Sequence, residues 1–454
     1  MVPTTSAQTS GEKNLLERFL SLFSKVDAGE GGTVVLFFAN AFIMMMLYYI
    51  LKPVREGLII SGFGAVIKSY SSAAQALLFA IVVPLYGAFA ARVNRVWLLS
   101  GMTLFFISNL VLFTFALGAG MNIGVVFYIW LGIFNFMLIS QFWAFANDIY
   151  KEKQGKRLFP IIGIGATSGA LVGAWLTAIA FKQMTDTSLL LLAATLLVFF
   201  ILLIVWINNR ETPVADEEAK KAVEKLSKEG GFQLVRRNRY LFLIAFHILI
   251  LNLVNTVGEF ILGSLFGEAA KEAIAAGTIT EGEESAYIRT MYAQFFGWVN
   301  LVGFLIQSIL VGRFVKYLGV RGSLFIGPLI SLVAYGTAAI QPVLNVVRGI
   351  KITENSNDYS TNNTIRAALF LPTSREVKYK AKAAIDTFFA RTGDALQALF
   401  VFVGTRLSFA IPAFAVMNVV FIVVWLFVCG GIVQEHKKLE NRNQTKAGRT
   451  TAPM

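Results

Sequence analysis

Charged and amide side chains stand in this sequence inside stretches that are otherwise suited to lipid. Lys52, Arg55 and Glu56 fall within about one helical turn of ILKPVREGLIISGFG, close enough to meet and partly neutralise one another. Gln141, Asn147 and Asp148 precede Lys151, Lys153, Lys156 and Arg157, a grouping that suits substrate contact or a salt-bridge gate equally. His247, Asn252, Asn255 and Glu259 share one apolar stretch. Arg348, Lys351, Asn362 and Arg366 follow in a second, and Lys382, Asp386, Arg391 and Asp394 in a third. Arg391 and Asp394 are three apart, share a helical face and read as a structural ion pair, which leaves Asp386 available. A cavity lined by Lys52, Arg55, Arg348, Lys351, Arg366, Lys382 and Arg391 would favour an anion bearing phosphate or several carboxylates. The asparagines around Asn362 suit hydrogen bonding to a polar head group.

Other chemistries lack their parts. No nucleophile–base pair and no metal constellation is assembled, so no catalytic residue, metal or cofactor is expected and the chain is not read as an enzyme. With only two histidines, no histidine metal site can form, and His247 reads as a hydrogen-bonded bundle residue. The single Cys429 excludes an intramolecular disulfide. Gly165, Gly169 and Gly173 repeat every four residues with no strand before them, which fits helix packing and not a dinucleotide fingerprint. The net charge of +13 comes without a basic stripe interleaved with aromatics, so nucleic acid is not an expected partner.

The elements that must position these groups are membrane helices. The 454 residues are 56% hydrophobic and 15% charged, with mean hydropathy +0.65. That is the composition of a polytopic membrane protein. Asn14–Val26 places Leu15, Leu16, Phe19, Leu20 and Phe23 on one face, as an interfacial amphipathic helix does. Apolar spans are expected at about 33–51, 70–91, 96–118, 123–146, 158–181 and 188–207, then 240–264, 288–312, 321–341, 383–408 and 410–432. The segment 343–371 carries Arg348, Lys351, Glu354, Asp358 and Arg366, each costing about 2.5–3.5 kcal/mol at a bilayer centre. As a helix it is tolerable only inside a bundle, facing a watery cavity. Counted as the tenth span, it places most Lys and Arg on one side of the membrane with both termini cytoplasmic; left out, the basic segments mismatch. The fold class is therefore all-α and polytopic, with twelve transmembrane helices in two major-facilitator-like halves. The expected division is 1–32 as an N-terminal tail with its amphipathic helix, 33–207 and 240–432 as six-helix halves, 208–239 as a cytoplasmic linker and 433–454 as a basic tail. A repeat supports the halves: REGLIISGFG and GEFILGSLFG pair Glu56 with Glu259, Phe63 with Phe266 and Gly64 with Gly267 at a constant offset.

Three stretches resemble the nucleotide (ATP/ADP) translocases of plastids and intracellular bacteria. YYILKPVREGLIISG is similar to that family's ILRxxKDxLVVT, FWAFANDIY with KRLFPIIGIGA to its FWGFANE with KRFYxLFGIGA, and VKYKAKAAID to its VKGKAAID. The resemblance implies that Arg55, Asp148 and Lys382 take the places of charges that bind and exchange nucleotide in family members. The chain departs from the pattern at Asn255 and Glu259 and near Arg366, where the family reads NLVE and DPxKEMAYIPL. The resulting expectation is a secondary transporter exchanging ATP/ADP or other NTP/NDP by alternating access, as a monomer in the bacterial inner membrane. Substrate contacts are expected from Lys52, Arg55, Glu56, Asn147, Asp148, Asn255, Glu259, Arg348, Lys351, Asn362, Arg366, Lys382 and Asp386. Two alternatives remain open: proton-coupled transport of another anionic metabolite, motivated by Glu259 as an acid in an apolar helix, and a non-transporting membrane assembly module.

Overall fold

A computed structural model describes residues 13–22, 24–90, 95–211, 231–374 and 377–450 of the chain. Among the described residues there is no strand, and eight helices are long and apolar enough to cross a membrane. In chain order the helices are α1 (Leu15–Leu20), α2 (Gly31–Ala90), α3 (Arg95–Gly118), α4 (Gly124–Ile149), α5 (Glu152–Trp175) and α6 (Asp186–Arg210). Then come α7 (Gly231–Arg237), α8 (Arg239–Ala275), α9 (Glu284–Leu305), α10 (Val311–Ser323), α11 (Ile326–Ile340) and α12 (Leu344–Asn357). The last are α13 (Asn363–Leu369), α14 (Lys382–Ala384), α15 (Ala390–Arg406) and α16 (Ile411–Thr450).

Helices lie at each of the expected spans, with shifted ends. α2 holds the first two in 60 residues, broken only at Gly64, whose φ of 80° falls in the region open to glycine. Its first part therefore does not stop near residue 51 but carries Lys52, Arg55 and Glu56 onward as helix. α8 runs past residue 264, where EAAKEAIA after Gly267 is rich in strong helix formers. The amphipathic helix is shorter than 14–26: Asn14 caps α1 by accepting from Glu17 N at 2.8 Å, and the chain turns at Ser21 and Leu22. Phe23 lies outside the described residues, as do 1–12, 212–230, 375–376 and 451–454, which include most of the expected linker. The stretch expected as a tail from residue 433 continues α16 to Thr450.

The chain divides into two compact units. The first comprises Met1–Val54, Tyr86–Met121 and Leu131–Ala222. Here the glycine seam of α5 lies on the backbone of α2. A Cβ on Gly165 would come within 2.6 Å of the Phe38 carbonyl oxygen, and one on Gly169 or Gly173 would overlap the carbonyls of Phe42 or Met46. Phe37, fully buried, packs its ring against Phe142, Phe145 and Tyr150 at 6.0, 5.5 and 5.3 Å. Arg157 ties the N-terminal strand of chain down, pairing with Glu30 at 2.9 Å and Asp27 at 3.0 Å and donating to Lys25 O.

The second unit comprises Arg55–Leu85, Asn122–Trp130 and Val223–Met454. α8 is its axis, packed against α12, α15 and α16. His247 accepts a hydrogen bond from Trp425 Nε1 at 2.8 Å, the bundle role expected of it. The segment 343–371 is helical, as α12, a π-helical turn at Asp358–Asn362 and α13. It is too polar to be among the eight membrane-grade helices, and its polar face is buried in protein: Lys351, Glu354, Asn355, Ser356, Asn357, Ser360 and Thr361 are all buried. Arg348, Asp358, Asn362 and Arg366 of the same segment stay half-buried.

Candidate functional site

Six charged side chains of alternating sign form a continuous ladder in the second unit. Arg55 pairs with its neighbour Glu56, its Nε donating to Oε1 at 3.0 Å. The other oxygen of Glu56 lies 2.7 Å from Lys68 Nζ. Lys68 is also 3.8 Å from Glu259 Oε2, and Lys351 is 3.8 Å from Glu259 Oε1. Lys351 then pairs with Glu354 at 2.7 Å. Three cations thus face three anions, with no net charge across the ladder.

Neutral groups hold the ladder in place. Tyr335 and Ser331 donate to Glu354 at 2.7 and 3.2 Å, and Lys351 donates to Asn255 Oδ1 at 2.7 Å. Asn355 Nδ2 donates to Glu259 Oε1 at 3.0 Å, and Lys68 donates to the Tyr292 hydroxyl at 3.3 Å. The Arg55 guanidinium lies 4.4 Å from the centre of the Tyr128 ring, a cation–π contact. Taking an ion out of water costs several kcal/mol unless its charge is met, and here each charge faces an opposite one, although Glu56 Oε2 and Asn355 Oδ1 are buried without a hydrogen-bond partner. α2 contributes Arg55, Glu56 and Lys68, α8 contributes Asn255 and Glu259 one turn apart, and α12 contributes Lys351, Glu354 and Asn355. Gly57 lets this part of α2 approach α9, since a Cβ there would lie 2.6 Å from the Ser285 carbonyl oxygen.

A smaller group forms where α13, α14 and the π-helical turn Ile385–Phe389 bring Arg366, Lys382 and Asp386 together. Lys382 lies 2.6 Å and Arg366 3.8 Å from Asp386. Asp386 is therefore not the available acid that the sequence suggested: its partner is Lys382, one helical turn earlier. Arg391 and Asp394 do form the expected pair, at 3.1 Å.

The ladder thus gathers Arg55, Glu56, Asn255, Glu259 and Lys351 of the expected site residues, and the smaller group gathers Arg366, Lys382 and Asp386. Arg348 instead donates to Gln294 at 3.1 Å, and Asn362 to Asp358 at 3.4 Å. In the first unit, Lys52 sits 5.3 Å from the centre of the Tyr49 ring, Asn147 is exposed and Asp148 is half-buried. The repeat partners Glu56 and Glu259 meet at one cation, Lys68. That lysine, Glu354, Asn355 and the tyrosines were missed as site residues. Lys68 follows the Gly64 break closely enough to be counted with loop cations, and Glu354 was seen only as a burden on its helix. A lysine four residues into a resumed apolar helix was the available signal.

A profile of the family described as TLC ATP/ADP transporter matches residues 124–436. The protein named ADP,ATP carrier protein 1 of Chlamydia muridarum (strain MoPn / Nigg) is 26% identical over 332 residues, covering 64% of this chain and 60% of that protein. Its namesake in Rickettsia bellii (strain RML369-C) is 26% identical over 353 residues, covering 68% of each. This chain therefore spans less than two thirds of the first relative's length. Among solved structures, a mutant of the nucleoside transporter NupG superposes with a TM-score of 0.64 at 12% identity, covering 88% of this chain and 99% of that one. That likeness shows the fold, a major-facilitator-like bundle.

Proposed function

The chain belongs to the TLC ATP/ADP transporter family of multi-pass membrane proteins, and we propose that it exchanges nucleotides, ATP against ADP or another NTP against NDP, by alternating access. The observation that carries this reading is the ladder from Arg55 to Glu354, three cations paired with three carboxylates inside a polytopic protein. Its cations can hold phosphate, and its carboxylates neutralise them when phosphate is gone. An anion that breaks some of these pairs has a differential affinity for the opened arrangement, which is what any ligand-driven conformational change requires.

The rest of the assignment follows the sequence topology. Residues 33–207 and 240–432 act as two six-helix halves, 208–239 links them in the cytoplasm, and the 1–32 and 433–454 segments lie on that same side of the bacterial inner membrane. The transporter works as a monomer. Arg366 and Lys382 offer a second anion contact, offset by Asp386. Proton coupling through Glu259 loses the reason first given for it, because Glu259 is flanked by two ammonium groups and is not an isolated acid in an apolar helix.

Purified protein in proteoliposomes, loaded with ADP and given labelled ATP outside, tests the reading. Saturable uptake that needs internal nucleotide and disappears in Arg55→Ala is the expected result. Correctly inserted protein that takes up no nucleotide would overturn it.

A further inference from the structure

Glu259 is held more loosely than the other carboxylates of the ladder. Glu56 is 1% exposed, touches Arg55 and lies 2.7 Å from Lys68. Glu354 is 2.7 Å from Lys351 and accepts from Tyr335 and Ser331. Glu259 is 22% exposed, and both of its ammonium neighbours stand at 3.8 Å, beyond direct hydrogen bonding. Its short contact is with the amide of Asn355, at 3.0 Å. Moving this carboxylate breaks less than moving either of the others.

The placement is that of an anion seat already filled from within. Lys68 faces one oxygen of Glu259, while Lys351 and the Asn355 amide face the other. Two oxygens of a phosphate group are spaced much like those of a carboxylate, so the same three donors can serve either. A phosphate dianion also satisfies two ammonium groups better than a single carboxylate does. We propose that Lys68, Lys351 and Asn355 form the seat for a phosphate group of the substrate, and that Glu259 occupies this seat until substrate displaces it. The proposal rests on the nucleotide-exchange reading and says where the phosphate binds. Glu56 and Glu354 stay in place throughout, keeping the two lysines aimed at the seat. On release, Glu259 returns and helps expel the bound anion, so the same carboxylate weakens binding and speeds turnover.

The test is titration calorimetry on the full-length protein in detergent, with inorganic pyrophosphate, ADP and, lacking any phosphate, adenosine. Glu259→Gln is expected to bind pyrophosphate and ADP roughly tenfold more tightly than the native protein, with adenosine unaffected. Lys68→Met is expected to lose pyrophosphate binding, and Lys68→Arg to keep it. If Lys68→Met does not fold, Lys68→Met with Glu56→Gln removes one charge of each sign and must also lose pyrophosphate. Unchanged or weaker binding in Glu259→Gln, or native affinity in either Lys68→Met variant, would overturn the seat. Nucleotide exchange that is indifferent to Lys68 and Glu259 would sink the seat and leave the exchange reading standing. Pyrophosphate binding that follows Glu259 in a protein unable to exchange nucleotide would do the reverse.

Discussion

The helix α2 takes part in two kinds of contact. Up to Val54 it lies on the glycine seam of α5, where Gly165, Gly169 and Gly173 leave no room for a side chain against Phe38, Phe42 and Met46. From Arg55 onward it carries charges into the ladder with Lys68, Glu259, Lys351 and Glu354. The seam is held by shape alone. Close backbone approach depends on every atom staying where it is, so the seam has one good arrangement. The ladder is held by charge, and its members can exchange partners without leaving an ion unpaired. The difference predicts how each fails.

The ladder should fail hardest when it is left unbalanced. Lys351→Met leaves Glu354 and Glu259 short of a cation in the interior, and breaking a buried pair from one side costs on the order of 3–5 kcal/mol. Thermal melting of the purified protein should show a large drop. Lys351→Met combined with Glu354→Leu should recover much of it, because the remaining charges again balance. A double variant as unstable as the single would mean that packing, and not charge, holds this region. The seam has no such rescue. Gly169→Val puts side-chain atoms onto the Phe42 carbonyl, with an expected loss of about 1–3 kcal/mol from overpacking, and no compensating charge change can restore it. Native melting in Gly169→Val would show that the seam gives way as readily as the ladder and would erase the distinction.

These two regions were legible in the sequence to different degrees. The seam could be read whole, because a four-residue glycine period has one structural use among apolar neighbours. Only part of the ladder could be read. Arg55 beside Glu56, and the repeat that pairs Glu56 with Glu259, were visible; their convergence on Lys68 is a long-range contact that no local pattern encodes. Glu354 looked like a cost because its partners Tyr335 and Ser331 lie on α11, where a tyrosine in an apolar stretch reads as core. The polar segment 343–371 could be recognised as a helix from charge bookkeeping across the membrane, but its π-helical turn at Asp358–Asn362 could not. Asp386 differs for the opposite reason: the pairing of Arg391 with Asp394 makes it look available, whereas Lys382, one turn earlier, is its partner.

The smallest expected effect lies outside both regions, in the N-terminal segment. Glu17 accepts the backbone N–H groups of Asn14 at 3.0 Å and Gly29 at 2.7 Å, and these bonds hold its carboxyl below the usual carboxylate range. A carboxyl depressed in the folded state adds stability that is fully present above its unfolded value, about 4.3, and fades as pH falls through the lower folded value. Hydrogen exchange at the Gly29 amide should therefore show protection at pH 7 that weakens below about pH 4, with Glu17→Gln less protected at pH 7 and lacking that change. Because Glu17 has backbone partners and no buried cation to leave behind, its loss should loosen the segment without lowering the melting temperature of the whole protein. A fall in melting temperature comparable to that of Lys351→Met would mean that a single capping carboxylate matters as much as a ladder rung. The cost of the ladder would then no longer be traceable to its unpaired charge.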